Sequence, residues 1–177
     1  MKNIKVIYLA GGCFWGTEAY FKSLKGIKKT VVGYANGKSD NTNYEEVAQT
    51  DHAETVKIYY DFSRISLTEI LLHYFRIIDP KSINRQGNDV GRQYRTGIYW
   101  EENDIKSEKI IKDFMTYEEE KLGKLAVEIS PIKNFVKNLK KLVKSFILWK
   151  DYKIFTTCKW FVLSFYKTSI TSIRFLF

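Results

Sequence analysis

A chain of 177 residues with 45% hydrophobic and 28% charged residues is sized for one globular domain and is too short for two ordinary ones. Its formal charge of +9 lies at one end: residues 1–132 carry 19 basic and 19 acidic side chains, and residues 133–177 carry 10 basic ones against Asp151 alone. The neutral first part argues against a nucleic-acid surface, the two cysteines exclude a disulfide scaffold and suit a reducing cytoplasm, and no stretch reaches the ~18 apolar residues of a membrane-spanning helix.

Lys5–Ala10 is apolar and β-branched and reads as a buried strand ended by Gly11-Gly12. The apolar run behind Lys2 and Lys5 is too short for a secretory leader, so Ala10-Gly11-Gly12-Cys13 is not expected to be a lipoprotein cleavage site. Thr17–Leu24 has helical spacing with Gly26 as its stop, Lys29–Tyr34 reads as a second strand, and Ala35–Asn43 as a turn-rich loop. Glu54–Tyr60 alternates like a strand, and Ser66–Ile77 is an amphipathic helix capped by Ser66. Asp79–Arg95 is polar and aperiodic, the kind of long loop that carries function. A strand at Thr96–Trp100, a charged amphipathic helix at Asn103–Leu122 and a strand at Lys124–Ile129 follow. The order implies an α/β fold that begins with a βαβ unit.

Cys13 is the residue with chemistry. It follows a strand and two glycines and opens a helix, where unpaired N–H groups and the positive end of the helix dipole favour the thiolate, the reactive form. The glycines let the backbone turn sharply and approach a substrate. A lone cysteine is more often a buried structural residue, and it is this setting that points to a nucleophile. His52 and His73 show no spacing that suggests a metal site, and a Cys-His hydrolase has no support beyond the residue types.

The neighbours of Cys13 narrow the reading. Gly12-Cys13-Phe14-Trp15-Gly16-Thr17-Glu18 resembles the signature of the A-type peptide methionine sulfoxide reductases. Gly33-Tyr34-Ala35-Asn36-Gly37, Tyr44-Glu45-Glu46-Val47, His52-Ala53-Glu54-Thr55-Val56, Asn84 to Gly91, Gln93-Tyr94-Arg95 and Ile129 to Phe135 resemble the family's later blocks, so the likeness spans about residues 4–135. It implies a two-layer α/β (α+β) fold, helices packed on a mixed sheet around a ferredoxin-like core. It also implies that Cys13 attacks the sulfoxide sulfur, that Phe14 and Trp15 wall a pocket for the methyl group, and that Glu54, kept protonated by burial, donates to the sulfoxide oxygen. Tyr44 and Tyr94 would hold that oxygen, and Asp89 would orient the substrate or the Trp15 ring. The implied substrates are the S epimer of methionine sulfoxide, free and in oxidised proteins. No cofactor is implied beyond an external thiol reductant, thioredoxin. A cytoplasmic monomer that binds neither nucleic acid nor membrane is the default. Without the resemblance, Glu54 reads as a solvated strand-end carboxylate, the two tyrosines as ordinary aromatics and Asp89 as a turn residue.

Several positions depart from the family pattern. Thr42-Asn43 stands where Pro-Thr is usual, Ile78 replaces a His, Lys81 a Thr, and Arg92 a small polar residue, which places a charge close to the site. After Phe135 the likeness stops and acidic residues nearly vanish. Residues 136–177 are expected to be an atypical basic tail, poorly ordered and produced by a shift of reading frame. A membrane-surface or partner-binding helix at Val136–Trp149 is the alternative. Cys158 lies near where a resolving cysteine is expected, in a different setting, Thr-Thr-Cys-Lys-Trp. Two functional alternatives to the reductase follow: an inactive or single-turnover remnant, and a membrane-associated protein with a reductase-like domain.

Overall fold

The computed structural model describes residues 3–138. Strand β1 (Ile4–Gly11) leads into helix α1 (Phe14–Lys22), and β2 (Ile27–Ala35) follows. Strand β3 (Ala53–Asp61) inserts between β1 and β2, antiparallel to both, with Leu9 opposite Val56 and Tyr34 opposite Glu54. The opening βαβ unit is therefore split by a third strand. Helix α2 (Leu67–Ile77) comes next, then a short hairpin, β4 (Arg85–Gln86) with β5 (Asp89–Val90), and a single 3-10 turn at Arg92–Tyr94. Strand β6 (Thr96–Trp100) pairs antiparallel with the free side of β1. The core order β6-β1-β3-β2 is the ferredoxin-like arrangement. After helix α3 (Ile105–Leu122), β7 (Glu128–Pro131) joins β6 in parallel and β8 (Phe135–Lys137) joins β2 antiparallel, which widens the sheet to six strands. The expected α/β fold with helices on a mixed sheet is what forms.

Alternation along the strands sets the layers. Ile7, Leu9, Val32, Val56, Ile58 and Ile98 point toward the helices and form the main core with Phe14, Phe21, Ile70, Leu71 and Ile111. Tyr8, Ala10, Ala35, Ala53 and Tyr99 point the other way into a smaller cluster that packs with Phe135. Helix α2 begins with a capping box: the Ser66 hydroxyl accepts from the Glu69 N–H (3.1 Å) and the Glu69 carboxylate accepts from the Ser66 N–H (2.8 Å).

Three local expectations shift. Helix α1 starts at Phe14 and ends at Lys22 with Ser23 as its cap, so Gly26 is not its stop. Gly26 has φ +99°, and a Cβ there would meet Ile65 at 2.6 Å, so it serves the close passage of the chain into β2. Strand β7 starts at Glu128 and not Lys124: Leu125 and Val127 are apolar because they fill the core, not because they ladder. Val136 and Lys137 lie in β8, not in a helix. From Leu139 onward, including Cys158, the tail lies outside the described residues. Among the described residues no helix is long and apolar enough to cross a membrane.

Candidate active site

Cys13 is the N-cap residue of α1, half-buried, at the point where β1 has ended. Its approach is fixed from two sides. The Tyr74 hydroxyl on α2 donates to the Ala10 carbonyl (2.5 Å) and accepts from the Gly97 N–H (3.0 Å), tying α2 to the ends of β1 and β6. Gly12 has φ +76°, and a Cβ there would stand 2.6 Å from the Gln86 Cβ. Gln86 can press this close because its amide is locked on Asp79, accepting from the Asp79 N–H and donating to the Asp79 carbonyl, both at 2.8 Å. The long loop thus reaches back and braces the turn before the thiol.

Glu54 meets that turn from β3. Its carboxyl is 2% exposed and accepts from the Phe14 N–H at 3.1 Å, the residue next to Cys13. Burial pushes its pKa up to about 7; the Phe14 hydrogen bond works against the rise and the charge of Asp89 adds to it. The carboxyl therefore holds a proton through much of the neutral range, although it sits at a helix N-terminus that favours its anion. Phe14 is 1% exposed and stands edge-on to Trp15 (centroids 5.1 Å, 79°). Phe14 is buried and Trp15 half-buried.

Tyr44, Asp89 and Tyr94 come from three separate segments and converge here. Tyr44 lies on the loop between β2 and β3, Asp89 in β5, and Tyr94 in the 3-10 turn. The Tyr44 and Tyr94 hydroxyls are hydrogen-bonded to each other, and both tyrosines feel the charges of Glu54, Cys13 and Asp89. Burial, then Glu54, raises the pKa of each, so both hydroxyls keep their protons at neutral pH. Burial also raises the pKa of Asp89. Asn43 explains the local turn: its side chain accepts from the N–H groups of Glu45 (2.8 Å) and Glu46 (3.1 Å) and fixes the backbone around Tyr44.

Two arginines hold the loops together. Arg95 is 4% exposed and donates to the carbonyls of Asn36, Asp51 and Arg92 and to the Glu128 carboxylate. Exposed Arg92 forms a bidentate pair with Asp51 (2.5 and 3.1 Å). His52 is fully buried, bonded to Thr50 and kept neutral by burial; His73 pairs with the Tyr20 hydroxyl (2.8 Å). Sequence reasoning assigned no role to Tyr34, Gln86 or Arg95. Each stands inside a motif quoted for the family likeness, which was the only available signal; their partners are distant in sequence. Cys158 lies outside the described residues.

The chain has counterparts among known proteins. The profile of the family described as peptide methionine sulfoxide reductase matches residues 5–141, six residues past Phe135. The reduced form of Mxr1 from Saccharomyces cerevisiae is similar with a TM-score of 0.70 at 39% identity, over 77% of this chain and 80% of that one. Methionine sulfoxide reductase A of Corynebacterium diphtheriae gives 0.73 at 29% identity, over 78% and 71%. Mxr1 in complex with Trx2 gives 0.58 at 30% identity, over 78% and 84%.

Proposed function

Because this chain belongs to the peptide methionine sulfoxide reductase family, we propose that Cys13, Glu54, Tyr44 and Tyr94 carry out sulfoxide reduction in the following way. The enzyme reduces methionine sulfoxide to methionine. The Cys13 thiolate, favoured at the start of α1, attacks the sulfoxide sulfur. Glu54 gives its proton to the sulfoxide oxygen as the bond forms, because a neutral sulfoxide is a poor electrophile until its oxygen is protonated. The Tyr44 and Tyr94 hydroxyls hold that oxygen, and Asp89 orients the bound group. Trp15, backed by Phe14, packs on the methyl group. The oxygen ends on the Cys13 sulfur as a sulfenic acid. The methionine sulfur is reduced by two electrons and the cysteine oxidised by two. Two external thiols then restore the thiol, releasing water and a disulfide. The complex of Mxr1 with Trx2 supports thioredoxin as their source, and the substrates we propose are the S epimer, free and in oxidised proteins.

One observation carries this reading: a buried carboxyl with a pKa near neutrality is hydrogen-bonded to the residue after the cysteine. The test is reduction of methyl p-tolyl sulfoxide by the full chain with dithiothreitol as reductant. The S form should be consumed and the R form left, and Cys13→Ser should abolish turnover. Equal rates on both epimers, or activity retained in Cys13→Ser, would overturn it.

A further inference from the structure

Five buried tyrosines anchor the sheet, and four have a partner for the hydroxyl. Tyr8 donates to Glu101, Tyr74 to Ala10 and Tyr99 to Glu128, and Tyr60 bonds Ser107. The fifth, Tyr34, is 2% exposed, and its hydroxyl has no hydrogen-bond partner among the described residues. A buried hydroxyl without a partner costs stability and calls for an explanation. His52 Nε2, Thr96 Oγ1 and Trp100 Nε1 share this state, and Tyr34 differs from them in standing directly across the ladder from Glu54.

The surroundings of Tyr34 say what it could serve. It is the direct cross-strand neighbour of Glu54 in the β2–β3 ladder, so both side chains leave the same face of the sheet. Its ring packs on Phe14 (centroids 5.6 Å), whose N–H holds the Glu54 carboxyl. Its hydroxyl is within electrostatic reach of Glu54 and Tyr44. When Glu54 gives up its proton, a negative charge appears at a buried position where the Phe14 N–H supplies a hydrogen bond. A second donor would lower the barrier to that transfer. Tyr34 and Glu54 make no direct hydrogen bond, so contact between the two groups runs through a water, which needs two or more polar partners.

We propose that Tyr34 is a positioning residue for the proton donor: its hydroxyl, through one bridging water, stabilises the carboxylate that Glu54 becomes during sulfoxide reduction. This rests on the role proposed above for Glu54. The Tyr34 O–H donates to the water and the water donates to the carboxylate; no bond to Tyr34 is made or broken.

The test is Tyr34→Phe in the full chain, which keeps the ring on Phe14 and removes only the oxygen. Losing a donor to a developing charge should lower kcat roughly tenfold and leave KM within about twofold. The alkaline limb of the pH profile should move up by roughly half a unit or more, since the carboxylate has lost a stabilising partner. The thermal midpoint should stay nearly the same, because the ring keeps its packing on Phe14 and the hydroxyl makes no hydrogen bond to another described residue. In a Glu54→Gln background, followed by single turnover with excess enzyme, Tyr34→Phe should cause no further loss. An unchanged kcat and pH profile, a change in KM alone, additive losses with Glu54→Gln, or a lowered midpoint would each overturn the proposal. A wild-type chain that does not reduce the S sulfoxide would sink the Glu54 role with it. An active wild type matched by Tyr34→Phe would sink this inference alone.

Discussion

Helix α1 has a buried carboxyl group against each of its first two turns, and the two are finished differently. Glu18, 4% exposed, accepts from the Thr30 hydroxyl at 2.8 Å and faces the Lys22 ammonium at 3.7 Å. Glu54, 2% exposed, has the Phe14 N–H and, in place of a cation, another carboxyl, Asp89, as the neighbouring charge. Both are buried to nearly the same degree, so burial alone does not distinguish structure from chemistry. The neighbours do: Glu18 has a hydroxyl and a cation beside it, while the rise that burial causes at Glu54 is reinforced by an acidic neighbour.

The largest effect should come from removing the proton. Glu54→Gln should lower the rate of S-sulfoxide reduction by ~10²–10⁴-fold, the usual weight of a general acid. It should also abolish the alkaline limb, along which wild-type activity declines as pH rises through about 7 and the acid form is lost. A pH–rate profile of both proteins decides it; a variant that keeps the limb would put the proton on another group.

Stability should move the opposite way. The folded pKa of Glu54 is about 7 against an ordinary 4.5, so the folded state binds more protons between those values. The stability that this proton uptake contributes is therefore full below pH 4.5, falls as pH rises, and is gone above about pH 7, where the buried carboxylate adds nothing to folding. Glu54→Gln should match wild type near pH 4 and be more stable at pH 8, by on the order of 3 kcal/mol. Urea unfolding at the two pH values measures the difference. Glu18→Ala should do the reverse. It strands the buried Thr30 hydroxyl, should cost about 1–3 kcal/mol, and should leave the pH–rate profile in place. If Glu18→Ala moved the alkaline limb, the two carboxyl groups would not be separate in role.

How far the sequence disclosed this depends on the range of the interactions. The strand at Thr96–Trp100 and the Ser66 cap of α2 are local, and both stand where the residues suggested. Helix α1 looked as if it began at Thr17 because Gly16 and two aromatics interrupt the helical pattern; the turn holds through the bonds from Gly16 and Thr17 to the Cys13 carbonyl. The Asp79–Arg95 loop gave no period because its order comes from Gln86 clamping Asp79 and from Arg95 binding four separate segments. Glu54 is visible in the sequence only through a motif, since nothing local says that a strand-end glutamate is buried. Tyr34 is less visible still, because what sets it apart is a missing partner, which only the packed sheet reveals.

The smallest effect should come from Arg92, an exposed charge in the turn that carries Tyr94. It begins the turn that ends at Tyr94, and its partner Asp51 ends the loop that carries Tyr44. The bridge therefore spans the two segments that bring the tyrosines together. Its hydrogen bond is the main cause holding the Asp51 carboxyl below its ordinary range. Yet the Arg92 side chain is 53% exposed, and buried Arg95 holds the Asp51 carbonyl independently. An exposed pair of this kind contributes about 0–1 kcal/mol, and salt screens it. Arg92→Ser should thus leave the unfolding midpoint nearly unchanged and raise KM by about twofold with kcat intact, a shift that 1 M salt should partly reproduce in the wild type. A loss of stability as large as that of Glu18→Ala would mean that the loops depend on the surface bridge, and that Arg95 alone does not hold the tyrosines in place.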